Sequence, residues 1–225
     1  MPSRDPLRKL SILVVILLLS LACVAAERSV SEVAKAVDDH YNRLQAFTAD
    51  FSETYRGAGI TRAESGKLWL KKPGKMRWEY QQPREKLFVT DGSTAYFYVP
   101  GDQQARRAPV KKLDDLRSPL RYLLGKTKLQ KEFDGLDFAP KVAPLAAGNI
   151  VLHGEPKSMA DRVTDVVLEI GPGDRIVRLI VEEVDGSTTE FRFTNIIENA
   201  AVEDAKFRFS PPPGVQVIES TEVAP

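Results

Sequence analysis

The stretch KLWLKKPGKMRWEYQQP, residues 67–83, decides how the chain is read. Two runs, Lys67 to Lys71 and Lys75 to Tyr80, flank Lys72-Pro73-Gly74. In the first, Leu68 and Leu70 share one face, and Lys67, Trp69 and Lys71 share the other. In the second, Met76, Trp78 and Tyr80 oppose Lys75, Arg77 and Glu79. A side-chain period of two is that of a β-strand with one apolar face. The stretch therefore predicts two strands joined at a Pro-Gly break, with a wall of Met, Trp and Tyr on one side. Alternation does not place Trp69 on the wall or on the outer surface.

Upstream, Ser29-Val30-Ser31-Glu32 has the capping-box pattern. Val30, Val33, Ala34, Val37, Tyr41 and Leu44 then recur at helical spacing, which predicts one amphipathic helix, roughly Ser31 to Leu44. Phe47, Ala49, Phe51, (Glu53) and Tyr55 alternate as a strand, and Gly57 and Gly59 mark a turn. Downstream, Lys86 to Thr90 and Thr94 to Val99 are strand-like around the hairpin signal Asp91-Gly92. The period changes at Lys111. Leu113, Leu116, Leu120, Leu123 and Leu124 follow helical spacing, with a restart at Ser118-Pro119, a stop at Gly125 and one further turn in Lys126 to Phe133. Strands resume over Asn149 to His153, Val163 to Ile170, Arg175 to Val184 and Thr188 to Ile197, and a last one covers Val215 to Ile218. About ten strands and two or three helices result. A long antiparallel meander closes or nearly closes because open edges are a liability, and the helices must bury their Leu and Val faces against it. The expected architecture is mainly β with α: an unclosed antiparallel half-barrel under a lid of two or three helices.

The beginning of the chain reads as a leader. Arg4, Arg8 and Lys9 precede the apolar run Leu10 to Ala22, and Val24-Ala25-Ala26 offers a cleavage site. The run is short for a membrane span. Cys23, the only cysteine, could instead accept a lipid anchor, although Ser20-Leu21-Ala22 before it fits such a site less well. Residues 1–26 are thus expected to be a signal peptide and 27–225 a single domain of 199 residues without a disulfide. Losing three basic residues and Asp5 takes 32 basic and 31 acidic side chains to 29 and 30, a net charge of −1. That balance gives no reason to invoke nucleic acid or an anionic membrane as partner.

Catalytic chemistry is hard to assemble. The two histidines, His40 and His153, lie in no motif, and His40 reads as a solvated helix histidine. No cluster has metal-ligand spacing, no Gly-x-Ser-x-Gly elbow occurs, and Glu182 and Glu183 fall on opposite strand faces. No catalytic residue, metal or cofactor is expected. What stands out is apolar surface: Met76, Trp78 and Tyr80 with Leu87 and Val89 on the strands, and Val37, Tyr41, Leu44, Leu116, Leu120 and Leu124 on the helices. These form either a plain core or a greasy cavity under a lid, and periodicity does not separate the two.

The order of features resembles the LolA family, periplasmic carriers of outer-membrane lipoproteins. The resemblance rests on LQAFTADFSETY at 44–55, GKLWLKKPGKMRWEYQQP at 66–83, LFVTDGSTAYFYVP at 87–100, SPLRYLLG at 118–125 and DAKFRFSPPPGVQV at 204–217. It implies a monomeric, non-enzymatic periplasmic chaperone whose concave barrel face shelters the acyl chains of lipoproteins. Cargo would come from an inner-membrane ABC-type release complex and pass to an outer-membrane acceptor. It also implies that Val37, Tyr41, Leu44, Met76, Trp78, Tyr80, Leu87, Val89, Leu116, Leu120, Leu123 and Leu124 form cavity and lid. Family members carry an arginine before the proline of the opening motif; here that position is Lys72, expected to clasp lid carbonyls near Leu123 and Leu124. Two other readings of the same fold remain: an acceptor lipoprotein anchored through Cys23, and a module that senses lipids or lipoproteins.

Overall fold

The computed structural model describes residues 28–110, 123 and 128–220. The leader and the positions of Leu113, Leu116, Leu120 and Leu124 lie outside the described residues.

Helix α1 (Val30–Arg43) starts at the expected capping box. The Glu32 amide donates to Ser29 Oγ at 3.3 Å, and the Ser29 amide donates to Glu32 Oε2 at 2.8 Å. Two of the four orphan donors of a helix start are thereby satisfied. Its apolar stripe, Val33, Ala34, Val37 and Tyr41, is buried.

Strands β1 (Ala46–Gly57), β2 (Ile60–Lys71), β3 (Lys75–Gln82), β4 (Lys86–Asp91), β5 (Thr94–Tyr98) and β6 (Gln104–Pro109) form one meander. A four-residue helix α2 (Leu129–Glu132) precedes a second meander. This comprises β7 (Phe133–Phe138), β8 (Ile150–Pro156), β9 (Val163–Gly171), β10 (Arg175–Glu183) and β11 (Thr188–Glu198). Strand β12 (Gln216–Glu219) closes the description. All twelve lie in one sheet, ordered β12-β6-β5-β4-β3-β2-β1-β11-β10-β9-β8-β7. The seam β1–β11 joins the two meanders, with Phe51 opposite Phe193. Its two outer strands, β12 and β7, are separate edges, so the sheet is unclosed as expected.

Directly opposed residues on neighbouring strands share a face. Trp78 faces Leu68 and Phe88, Leu68 faces Ala49, and Phe51 faces Gly66 and Phe193. On the other arm, Phe191 faces Leu179, Leu179 faces Leu168 and Leu168 faces Leu152. These residues form one concave apolar face. The buried side of α1, together with Leu123 and Leu129, packs on it to make the main core. Tyr41 ties helix to sheet, its Oη accepting the Ile176 amide at 2.9 Å.

The opposite face of β2–β5 is covered too. A 3₁₀ turn, Asp204–Phe207, lays Phe207 against it at 1% exposure. Phe209 stacks on Tyr96 with ring centroids 5.0 Å apart. Lys71 and Lys75 each reach Asp204 at 2.7 Å and hold its carboxyl down at about 2. Trp69 belongs to this outer face, with Lys206 Nζ 3.9 Å from its ring centroid. The Pro-rich end of the chain is thus a strap over the convex side.

One expectation is corrected here. Leu87 and Val89 do not share a face with Met76, Trp78 and Tyr80. They stand opposite Glu79 and Arg77 on the convex face, while Phe88 and Thr90 take the concave one. Strand β4 is apolar at successive positions because both its faces are covered, and such a run has no phase to read.

Candidate functional site

The concave face is built around an aromatic cluster on β1, β3 and β11. The Phe51 ring lies edge-on to Trp78 at 4.6 Å and to Tyr80 at 5.0 Å, and Phe191 meets Trp78 at 6.0 Å. Such edge-to-face contacts suit the ring quadrupoles and hold the cluster rigid. Trp78 is 1% exposed and Tyr80 2%, and both belong to the buried cluster that also holds the inner face of α1 and Leu123. Met76 is half-buried against the same cluster. Val37, Tyr41, Leu44 and Leu123 are all buried and join it. The structure therefore brings together every described wall and lid residue read from the sequence except Leu87 and Val89.

Lys72 stands at the junction of helix and wall. Its Nζ donates to the Tyr41 carbonyl at 2.7 Å and the Asn42 carbonyl at 3.1 Å, and its amide donates to Gln45 O at 2.8 Å. The ammonium thus caps the last turn of α1, where carbonyls are unpaired and the helix dipole is negative. Leu44, Phe47, Leu70 and Leu123 line a crevice with Lys72. The described contacts place the cation on the first helix; the carbonyl of Leu124 lies outside the described residues.

The far end of the concave face is polar. Tyr80 Oη donates to Glu53 Oε2 at 2.9 Å, Lys86 pairs with Glu64 at 2.6 Å, and Lys86 Nζ sits 4.2 Å from the Tyr80 ring centroid. Burial raises the Glu53 carboxyl above its ordinary range; the Tyr80 hydrogen bond opposes this and the nearby Glu64 charge reinforces it. Burial likewise raises the phenols of Tyr80 and Tyr41. A carboxyl with a raised value in the fold costs stability once it must ionise, so its contribution is full at low pH and lost as pH rises through the folded value. Glu53→Gln keeps the acceptor for Tyr80 and removes the charge. Thermal melts are expected to show a higher Tm for the variant at pH 8 and a difference that shrinks towards pH 4. A lower Tm at pH 8 would contradict the assignment.

His40 corrects the sequence reading in a smaller way. Its Nε2 lies 3.0 Å from Glu198 Oε1 and its side chain is only 16% exposed, so it is packed between helix and sheet rather than solvated. Glu198 also accepts from Arg175 at 2.7 Å. Its partner comes from the far end of the chain, and no local spacing could signal it. Among the described residues no group of three or more His, Cys, Asp or Glu could hold a metal ion.

The family model described as outer membrane lipoprotein carrier protein LolA matches residues 42–210. The chain belongs to the LolA family. The match spans the concave wall, the insertion around Leu123 and most of the convex strap. The outer-membrane lipoprotein carrier protein of Nitrosospira multiformis is 31% identical over 175 residues, covering 76% of this chain and 80% of that one. That of Chromobacterium violaceum is 30% identical over 209 residues, covering 89% and 96%. Among solved structures, the Mycobacterium tuberculosis lipoprotein LppX aligns with a TM-score of 0.50 at 12% identity, over 77% of this chain and 97% of that one, a likeness of fold. For a LolA-family chain, the mainly β, unclosed sheet is the expected frame.

Proposed function

We propose that this chain is a periplasmic carrier that binds the acyl chains of lipoproteins and takes them from the inner to the outer membrane. The observation that carries the reading is the concave face: a continuous aromatic and aliphatic wall in an open sheet, covered by elements from elsewhere in the chain. Acyl chains would lie on Met76, Trp78 and Tyr80, displacing Leu123 and loosening the face of α1 that carries Val37, Tyr41 and, at its end, Leu44. Leu116, Leu120 and Leu124 would belong to the same cover. Each buried CH₂ contributes ~0.8 kcal/mol, so three long chains come to an idealised total on the order of 30 kcal/mol. Escape into water is then negligibly slow, and transfer needs an acceptor with a better apolar site. An inner-membrane ABC-type release complex would load the carrier, and an outer-membrane acceptor would unload it. The leader, residues 1–26, would be removed, and the carrier would work as a monomer without catalysis.

Lys72 is the latch in this reading. Hydrogen bonds to a charged group are worth about 1.5–3 kcal/mol, somewhat less where water competes. Lys72→Leu is expected to shift the balance towards the uncovered form by about 1–2 kcal/mol, a factor of 5–30. The apparent affinity of the empty protein for an apolar fluorescent dye should rise by that factor, since affinity scales with the open fraction. Unchanged dye binding would show that Lys72 does not hold the cover. The function itself is tested by purifying the protein from the periplasm and identifying bound acylated proteins by mass spectrometry. Recovery of lipoproteins supports it, and a cargo-free protein in cells blocked in outer-membrane transfer contradicts it.

A further inference from the structure

The wall contains one polar group with no role in the fold. Trp78 Nε1–H is buried and has no hydrogen-bond partner among the described residues. Its ring contacts are Phe51, Tyr80 and Phe191, and rings offer no strong acceptor. The Tyr80 hydroxyl, a polar group of the same cluster, is already directed at Glu53. An indole N–H can only donate. A buried donor without a partner opposes folding, and phenylalanine at the same place would fill the wall without that cost. The group is explained if its acceptor arrives with the ligand.

We infer that Trp78 Nε1–H donates a hydrogen bond to the ester carbonyl of a glyceryl-linked acyl chain bound on the concave face. The inference rests on the carrier reading above and adds to it a group that recognises the linkage rather than the hydrocarbon. An ester carbonyl accepts and cannot donate, which complements a donor-only group. It is also uncharged. A free fatty-acid carboxylate would bring a negative charge to the face that holds Glu53 and Glu64, with Lys86 already paired to Glu64 at 2.6 Å. The site is therefore built for esters over ethers and for esters over free acids.

Two synthetic lipopeptides with the same peptide separate these contributions: one with two palmitoyl esters on its glyceryl group, one with two hexadecyl ethers. Both offer matched hydrocarbon, and only the first offers carbonyls. The ester form is expected to bind about 2- to 12-fold more tightly, the ratio a single net hydrogen bond supplies. In Trp78→Phe the ester-to-ether ratio should fall to about one. A second readout needs no change at the site. The chain has two tryptophans, and Trp69 lies on the convex face against Lys206. A Trp69→Phe variant assigns the indole N–H resonances. The Trp78 signal should move downfield with the ester and not with the ether. Equal affinities in the parent protein together with an unmoved Trp78 signal would overturn the inference and leave the carrier reading standing. Binding of neither lipopeptide would overturn both.

Discussion

Gly66→Val is expected to be among the most damaging single substitutions in the chain. Gly66 lies in β2 on the concave side, facing Tyr80 across a register shift between Ser65 and Gly66. A Cβ there would fall 1.9 Å from the Glu79 carbonyl oxygen, 2.8 Å from its carbon and 2.9 Å from Tyr80 Cα. All three are backbone atoms of β3, so no side-chain rotation relieves the collision. Strand β3 would have to move away, and Trp78 and Tyr80 with it. Even Gly66→Ala should cost about 3 kcal/mol, at the upper end of overpacking penalties, and lower Tm by roughly 10 °C for a domain of this size. The valine should leave no cooperative transition at 37 °C. Thermal melts followed by far-ultraviolet circular dichroism check this, and an alanine variant melting within about 2 °C of the parent would refute the close approach.

The second large effect lies on the convex side of the other meander. Glu169 is fully buried, and Arg178 Nη2 lies 2.6 Å from its Oε2. Its Oε1 accepts the Leu145 amide and the Asn149 side-chain amide, each at 2.6 Å. Arg178 Nη2 also donates to the Ala143 carbonyl at 2.8 Å. The pair thus pins the loop 139–149 over the small cluster of Ala139, Val151 and Val167. Arg178→Met removes the counter-charge and leaves a carboxylate in a dry site. Breaking a buried pair from one side costs about 3–5 kcal/mol. Adding Glu169→Leu to Arg178→Met should recover a large part of that loss, because both desolvation penalties then vanish. Urea denaturation of the single and double variants measures the difference. A double variant less stable than Arg178→Met would mean that the hydrogen bonds of Glu169 to the loop outweigh its unpaired charge.

The parts legible in the sequence are those that local chemistry decides. Ser29 and Glu32 form the capping box that their spacing predicts, and the helix begins at Val30, one residue before the expected Ser31. Alternation placed Met76, Trp78 and Tyr80 on one face, since β3 has a charged outer side to set the phase. The Asp91-Gly92 signal falls at a real hairpin between β4 and β5. Strand β4 lacks a charged side, so alternation does not show that Leu87 and Val89 point outward, opposite Glu79 and Arg77. Strand β6 went unseen because Gln-Ala-Arg-Arg-Ala-Pro buries only small alanines, Ala105 and Ala108. Strand β7 was hidden by its Asp-Gly, with Gly135 at a φ of +60° and an irregular register against β8. Strand β2 runs well upstream of the alternating Lys67–Lys71 stretch, through Gly66, where the backbone of β3 comes close. The β1–β11 seam and the partners of Lys72 and His40 bring together residues far apart in sequence, which periodicity does not encode.

The part of the site that sequence reasoning missed is polar. Glu53 interrupts the apolar alternation of β1, and alternation shows the Trp78 ring as hydrocarbon without its buried indole N–H. Both became visible once neighbouring strands fixed which atoms surround them. A wall that carries a donor without an acceptor and a carboxyl held above its ordinary range differs from a plain core, where such groups are normally paired or absent.

The most direct test of the central claim is solubilisation of a triacylated lipopeptide without detergent. Purified protein is mixed with the lipopeptide and passed over a size-exclusion column. The lipopeptide is expected to elute with the protein in a one-to-one complex, and an unacylated peptide of the same sequence is not. Lipopeptide that stays in its own aggregates at every protein concentration would contradict it.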